Sequence, residues 1–543
     1  MDSQRRTLVA IAICVLIWIA YSTWIMPPPP EVEAPKGDAA GKVEKKAIDE
    51  DGGGASAGSS GSSEDGAVPA NAAGKVDGRL ENPLLALEVT NIGGIIRRAE
   101  LLSPQFLEEG RGLDLLKLDD QASLAVAFDG ESTDFKLPRN AAWEVLEPRG
   151  DKRAWNLRYA APEVEIVSSL VLMEDYEARL TVKVTNKSSQ QQAHRLALRS
   201  KMGEGAERSQ YDVHRGLCAT VEDFEDFDQS DVEDEPQRVK GGIRWAGVDS
   251  KYFLAAVIPG ELGQTCEVRT SDDHDVLTTT VFAKGATLQP GETRSYEYGL
   301  YMGTKELERL RQLKASPEAN LEEAIDWGWF GGLSAGLGKL MLRLLRWFHQ
   351  LTGIWGVAII LITVVVKLVT LPLTLRQMNS MKRMREIQPE IEALKTKYAD
   401  DKMRQAQEMQ ALFARSGVNP LAGCLPMLVQ LPIWIALYAM LATAVELYRE
   451  SFLWLPDLTK QDPYFITPLA IGGLMFLQTK LQPTPSVDNQ QAKMMMWMMP
   501  TIFTVMMLFL PSGLGVYIFA NILLSLVQTV IQTKPAKPAV AKT

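Results

Sequence analysis

Apolar residues keep two different rhythms along this chain, and the change from one to the other divides it. Between residues 83 and 316 they come in short alternating runs: Leu180, Val182 and Val184 share one face while Thr181, Lys183 and Thr185 share the other, the two-residue period of a half-buried strand. Similar runs at 85–96, 164–172, 276–282 and 295–300 predict a large all-β sandwich, with turn signals such as Gln289-Pro290-Gly291-Glu292 as hairpin connections. Beyond residue 351 the runs are long. Segments 354–375, 424–445, 464–481, 494–510 and 513–530 are each close to the length that crosses a bilayer.

The N-terminus supplies a sixth such segment. Residues 7–26 are apolar, follow Arg5 and Arg6, and run into four consecutive prolines with no small-x-small cleavage pattern, so residues 1–26 are expected to be a retained signal anchor. Residues 27–82 are rich in Pro, Gly, Ala, Ser and charge and read as a disordered tether. Within 317–350, Leu337, Leu340, Met341, Leu344, Leu345 and Phe348 fall on one helical face, with Lys339, Arg343 and Arg346 opposite. That is the pattern of a helix lying on a membrane surface, or else of one packed on the β domain.

Charge then sets an orientation. The 376–418 loop carries Arg376, Lys382, Arg383, Arg385, Lys395, Lys397, Lys402, Arg404 and Arg415, and the tail at 534–543 carries Lys534, Lys537 and Lys542, whereas loop 446–463 is net acidic. By the positive-inside rule both termini and the basic loop are cytoplasmic, and residues 27–350 are periplasmic. The expected fold is a polytopic α-helical membrane protein with six transmembrane helices, a periplasmic β sandwich at 83–316, and a core at 351–533. Within the basic loop, a stripe from Met378 through Met381, Met384, Ile387, Ile391 and Leu394, a break at Ala399-Asp400-Asp401 and a return ending at Gly417 predict a cytoplasmic helical hairpin. Its methionines suit contact with apolar client segments as well as they suit plain packing.

Composition mainly excludes. The net charge of -10 gathers in the middle of the chain, notably at 222–235, and argues against nucleic acid as the main partner. Cysteines at 14, 218, 266 and 424 have no CxxC spacing, so neither a zinc site nor a redox motif is indicated; whether Cys218 and Cys266 pair is open. The β domain shows no nucleophile with a base and no phosphate loop, and His194, His214 and His274 read as ordinary surface or core residues. No cofactor and no enzymatic activity are expected.

The candidate site lies inside the membrane. Lys367 interrupts the apolar run 354–375, where a charge costs roughly 3 kcal/mol on insertion scales. Thr363, Lys367, Thr370 and Thr374 share one helical face, which is expected to meet water. Snorkelling, or pairing with a carboxylate, is the plainer alternative, although no acidic residue lies in the other apolar runs. Tyr517, Asn521, Ser525 and Gln528 share a face of the last span, Gln430 is followed at helical spacing by Trp434 and Tyr438, and Thr501 and Thr504 lie in the fifth. Polar faces on several spans imply a shared concavity, open to the cytoplasm, with Lys367, Thr363, Thr370, Gln430, Tyr517 and Asn521 as its candidate lining.

The runs Pro372-Leu373-Thr374, Asn419-Pro420-Leu421-Ala422-Gly423-Cys424-Leu425-Pro426, Gln430-Leu431-Pro432-Ile433 and Pro511-Ser512-Gly513-Leu514, in this order and at these separations, resemble the YidC membrane protein insertases of the Oxa superfamily. The β domain resembles the periplasmic domain of the Gram-negative members through Gly93-Gly94, Lys251-Tyr252-Phe253 and Tyr301-Met302-Gly303. The resemblance implies an inner-membrane insertase that takes nascent membrane proteins from the ribosome or the Sec translocon and passes them into lipid through a hydrophilic groove, without a small-molecule substrate. Family members typically carry arginine where this chain has Lys367, a change that keeps the charge and removes the planar fork. Two other classes compete: a membrane-anchored periplasmic binding or chaperone module, and a secondary transporter, which calls for midplane carboxylates and inverted repeats that the spans lack.

Overall fold

The computed structural model describes residues 74–533 except 109, 119–120, 139, 147–152, 204–213, 272–274, 314–316, 328–330, 400, 418–424 and 482–488, with backbone alone at 317, 331, 333–334, 376–382, 385, 425–430, 489–496 and 531–533. The expected anchor at 1–26, most of the tether and the 534–543 tail lie outside the described residues.

The β domain starts earlier than its pattern suggests. Asp77–Glu81 is already a strand and pairs with Leu85–Thr90. Only Leu80 is buried in it, while Arg79 bridges to Glu100, so a single apolar residue left no alternation to read. The run at 85–96 is two strands rather than one. Leu85–Thr90 turns through Gly93, at φ +74°, into Ile96–Leu101, and the four-stranded sheet closes with Leu113–Asp114.

Thirteen more strands form a continuous antiparallel ladder. Val164–Leu172 and Val276–Phe282 appear as the alternation predicts, and 180–185 lies within the strand Glu177–Asn186. The ladder folds over at the strand Gln237–Asp249. Its first half pairs with Gly263–Thr270; past a bulge between Lys240 and Ile243 it pairs with Arg215–Thr220 and Phe253–Pro259. A strand that changes partners at a bulge is how one sheet becomes two packed layers. Trp245, Tyr176 and Tyr301 are among the largest fully buried side chains, and Cys218 is bridged to Cys266 across 6.0 Å between Cα atoms. Gln289-Pro290-Gly291-Glu292 is a turn, closed by Glu292 N–H donating to the Gln289 carbonyl, but not a hairpin. Ala286–Leu288 pairs with Gln192–His194 and Thr293–Thr304 with Glu177–Asn186, so the turn passes the chain between sheets.

Nine α-helices follow among the described residues: α1 (Leu307–Arg311), α2 (Gly331–Thr352), α3 (Trp355–Glu386), α4 (Gln388–Lys397), α5 (Lys402–Ser416), α6 (Leu425–Thr443), α7 (Ile466–Leu481), α8 (Asn489–Met507) and α9 (Ser512–Thr533). All five long apolar runs are helical. By length and composition 355–375 and 512–530 are fit to cross a membrane, and the apolar parts of α6, α7 and α8 are shorter. Pro372, Pro432 and Pro500 sit inside α3, α6 and α8, tolerable where neighbouring helices cover the freed carbonyls.

The basic loop is a hairpin, with one arm longer than its stripe suggests. α3 runs without a break from the apolar stretch to Glu386, so Met378, Met381 and Met384 lie on it, ahead of the turn at Ile387. Asp401 caps α5 by accepting from Arg404 N–H, and Gly417 ends it in the left-handed region. α4 and α5 close over Ile387, Ile391 and Leu412, with Met384, Leu394, Met409 and Phe413 packed around them.

α2 joins the two halves. Its expected wet face is wet only in part: Arg343 is exposed, whereas Arg346 is largely enclosed, bridged to Glu446, where the helix packs on α3 and α6. Met341, Leu342 and Leu345 are buried, whereas Leu340, Trp347 and Leu351 form an outward apolar stripe.

Candidate functional site

The site is built where α3 packs against α9. Lys367 is half-buried there, and its ammonium donates to Asn521 Oδ1 at 3.0 Å and to Ser525 Oγ at 2.6 Å. Ser525 spends its own proton on the Asn521 carbonyl at 2.7 Å, which leaves its oxygen free to accept. Among the described residues no carboxylate lies within ion-pair reach of Lys367, so the charge is solvated by neutral oxygens and stays uncompensated. The neighbours Leu368 and Val369, 61% and 70% exposed, turn outward.

The other expected lining divides. Thr363 is 1% exposed and donates to the Ile359 carbonyl at 2.7 Å, and buried Thr370 donates to the Val366 carbonyl at 2.9 Å. Both hydroxyls are satisfied on their own helix, so the expectation that this face meets water is corrected at these two positions: α9 and its neighbours cover them. Tyr517 is 1% exposed, and its hydroxyl finds no hydrogen-bond partner among the described residues. For Gln430, Met378 and Met381 only the backbone is described. Met384 packs into the hairpin's own core. The structure therefore brings Lys367, Asn521 and Ser525 together; spacing put Ser525 on this face, yet only contact shows it to be the nearer partner.

Pattern alone missed a second charged cluster. Arg346 Nε donates to Glu446 Oε1 at 2.7 Å, its Nη2 contacts the same oxygen, and Glu308 and Glu306 lie at 3.7 and 4.0 Å. Burial pushes the Glu446 carboxyl up from its ordinary value, against the pull of Arg346. Two residues on, Tyr448 enters a nest of β-domain rings: Tyr252 at 5.4 Å, Phe253 at 5.5 Å and Phe106 at 5.8 Å between centroids. Arg449 adds a 2.9 Å ion pair to Glu108. A carboxylate ending an apolar run and followed by tyrosine was the available signal.

These features define a class: a helical core of span-length apolar helices that carries, among the described residues, a cation without a carboxylate partner, joined to a β sandwich. Residues 347–539 match the family profile described as "60Kd inner membrane protein", and residues 78–340 match "YidC periplasmic domain". The membrane protein insertase YidC of Anaeromyxobacter dehalogenans strain 2CP-C is 45% identical over 328 residues, 60% of this chain and 58% of that one. Its counterpart in Geobacter sp. strain M21 is 31% identical over 463 residues, covering 83% and 84%. A crystal structure of an active YidC insertase with its first transmembrane domain resolved is 21% identical, covers 84% of this chain and 92% of that one, and has a TM-score of 0.37. The chain belongs to the YidC family of inner-membrane proteins. Its match spans somewhat over half the length of the Anaeromyxobacter relative.

Proposed function

We propose that the chain is a membrane protein insertase, in which Lys367 attracts the acidic, polar flank of a nascent membrane protein while the client's apolar helix partitions into lipid. The observation that carries this is the half-buried ammonium held by Asn521 and Ser525 with no carboxylate among the described residues to neutralise it. No chemical energy source is required. Burying about 20 apolar residues supplies the free energy, and the protein lowers the barrier to moving the polar flank. In this reading Lys367 and Asn521 face a cytoplasm-open groove that Gln430 also lines, with the buried Thr363, Thr370 and Tyr517 packed behind that wall, and Met378, Met381 and Met384 lie on the arm by which a client arrives.

Six spans, with both termini and the α4–α5 hairpin in the cytoplasm and residues 27–350 in the periplasm, complete the proposal. The Cys218–Cys266 bridge supports it, since disulfides persist in oxidising compartments, and so does the basic hairpin against the acidic 446–463 loop. The ribosome and the Sec translocon are the partners that would deliver clients. The outward stripe of Leu340, Trp347 and Leu351 on α2 suits the lipid headgroup boundary.

Insertion assays on paired clients that differ only in tail charge test the mechanism. Lys367→Arg is expected to work and Lys367→Glu to fail, because reversing the sign turns attraction into repulsion where screening is weak. Lys367→Ala should hurt the acidic-tailed client more than the neutral one. Equal loss for both clients, or full function with glutamate, overturns charge attraction.

A further inference from the structure

The loop between α6 and α7 is net acidic in sequence, but the fold turns its central acids inward. Asp457 is buried, and its Oδ1 accepts from the N–H groups of Arg449 and Thr459 at 3.2 and 2.8 Å and from the Thr459 hydroxyl at 2.6 Å. Buried Asp462 accepts from Tyr464 and Thr467 N–H at 3.0 and 2.6 Å and from Trp454 Nε1 at 3.2 Å. What the loop presents outward is apolar. Leu453 is 76% exposed and Tyr464 66%, and Trp454, Phe465 and Ile466 are exposed as well. From Ser451 to Leu469, a stretch described throughout, Lys460 is the one exposed charge.

Two of these side chains work against the fold that holds them. Leu453 (φ 55°) and Phe465 (φ 56°) lie in the left-handed region, where a bulky side chain is strained, and neither is covered in return. Their surroundings hold them there. Phe452 and Leu455 exchange backbone hydrogen bonds at 2.8 and 2.9 Å across the Leu453-Trp454 tip, and the Asp457 and Leu458 carbonyls accept from the Ser512 hydroxyl and the Gly513 N–H at the start of α9, at 2.9 and 2.8 Å. Because Asp462 holds both the Trp454 indole and the first turn of α7, the tip and residues 464–466 stand together as one crest. Below it, Ile466, Leu469, Gly473, Leu477 and Leu481 continue as an exposed stripe along α7. A rigid, strained and outward apolar surface that serves no packing within the chain fits a partner outside it.

We propose that Leu453, Trp454, Tyr464 and Phe465 form a rigid anchor seated in the lipid headgroup boundary of the periplasmic leaflet. This rests on the reading that α6 and α7 cross the membrane. The stripe on α7 meets lipid tails; tryptophan and tyrosine suit the boundary above them, where an apolar ring and a polar edge are both satisfied, and the lone lysine complements lipid phosphate. The same loop pairs Arg449 with Glu108 of the β domain, so the anchor also sets the height at which the sandwich rides over the bilayer.

The test places nitrobenzoxadiazole on single cysteines of the full chain, carrying Cys14→Ser and Cys424→Ser, in vesicles of phosphatidylcholine and phosphatidylglycerol. Leu453→Cys and Phe465→Cys are compared with Leu262→Cys, 56% exposed beyond the far end of the strand Phe253–Pro259 from the Tyr448 seat, and with Leu477→Cys on α7. The crest probes should emit to the blue of the Leu262 probe, resist iodide, and be quenched by nitroxide on the lipid headgroup or high on the acyl chain. The Leu477 probe should be quenched by nitroxide deep in the chain. Crest probes that behave like the Leu262 probe while Leu477 is quenched overturn the anchor and leave the six-span reading standing. Crest probes shielded from iodide and lipid nitroxide alike are covered by a second copy of the chain, which also overturns it. A Leu477 probe that no lipid nitroxide quenches removes the spans and the anchor with them. Leu453→Gly supplies an independent arm: it relieves the left-handed backbone, so the thermal midpoint in detergent should hold or rise while the Phe465 probe shifts toward water. A lower midpoint makes Leu453 a residue of the fold and overturns its assignment to lipid.

Discussion

At the scale of single residues, the side chains that matter most are the charged ones the fold encloses. Arg346 is the clearest test. Removing it in Arg346→Ala leaves Glu446 nearly buried with no close cation, and the expected loss of stability is about 3–5 kcal/mol, read as a drop in thermal midpoint in detergent. Adding Glu446→Gln should recover most of it, since the uncompensated charge then goes too. The pH dependence has a definite sign. A carboxyl whose folded value lies above its unfolded one is stabilised most where both states are protonated, and loses that contribution as pH rises through the raised value. The Arg346→Ala defect should therefore be largest at neutral pH and shrink as the pH falls toward the ordinary carboxylate range. Lys367 and Arg346 also show what sequence can say about charges. A cation inside an apolar run is conspicuous whatever surrounds it, whereas Arg346 sits on a helix of mixed polarity and acquires its role only from Glu446, 100 positions away in the chain.

Among the elements, helices were legible because their periods are long, and strands only where they alternate over several residues. Val164–Leu172 shows a buried residue at every second position and was readable; Asp77–Glu81, with one buried leucine, was not. The two strands merged at 85–96 differ by a turn at Gly93, and a glycine pair inside an apolar stretch does not say on its own where a chain reverses. Partner choice is still less local: Gln289-Pro290-Gly291-Glu292 specifies a turn, but the strand that each flank joins depends on contacts with residues near 190 and 180. Packing between elements yields a sharper forecast. A Cβ added at Gly356 in α3 would lie 2.1 Å from the Phe452 ring, at the base of the 446–463 loop, whereas Gly332 at the start of α2 faces open space. Gly356→Ala should lower the thermal midpoint, because ring or helix must shift, and Gly332→Ala should leave it equal or slightly raised through its better helix propensity. The opposite ranking would mean that α3 and this loop are not in contact.

For the whole molecule, the candidate site was legible in its cation and its helix faces but not in its accessibility. Thr363 and Lys367 share a face by spacing, yet one is sealed against protein and the other is not, a distinction made by the depth of α9 against α3. Orientation remains the broadest forecast. Single cysteines placed at Lys460 in the acidic loop and at Met403 on α5 should react with a membrane-impermeant thiol reagent from opposite sides of a sealed membrane, Lys460 from the periplasmic side and Met403 from the cytoplasmic side; labelling of both from one side removes the six-span arrangement. The seat of Tyr448 among Phe106, Tyr252 and Phe253 bears on motion as well as on form. A sandwich hung on a long tether would spin nearly as a free body, whereas one gripped by an aromatic plug at the mouth of α6 must turn with the entire particle. A fluorophore rigidly fixed on the sandwich should then lose its anisotropy at the slow rate of the protein–detergent complex, and Tyr448→Ala with Arg449→Ala should add a fast component. What reaches the sandwich from outside, be it drag or the pull of a bound chain, would arrive at the membrane helices as torque.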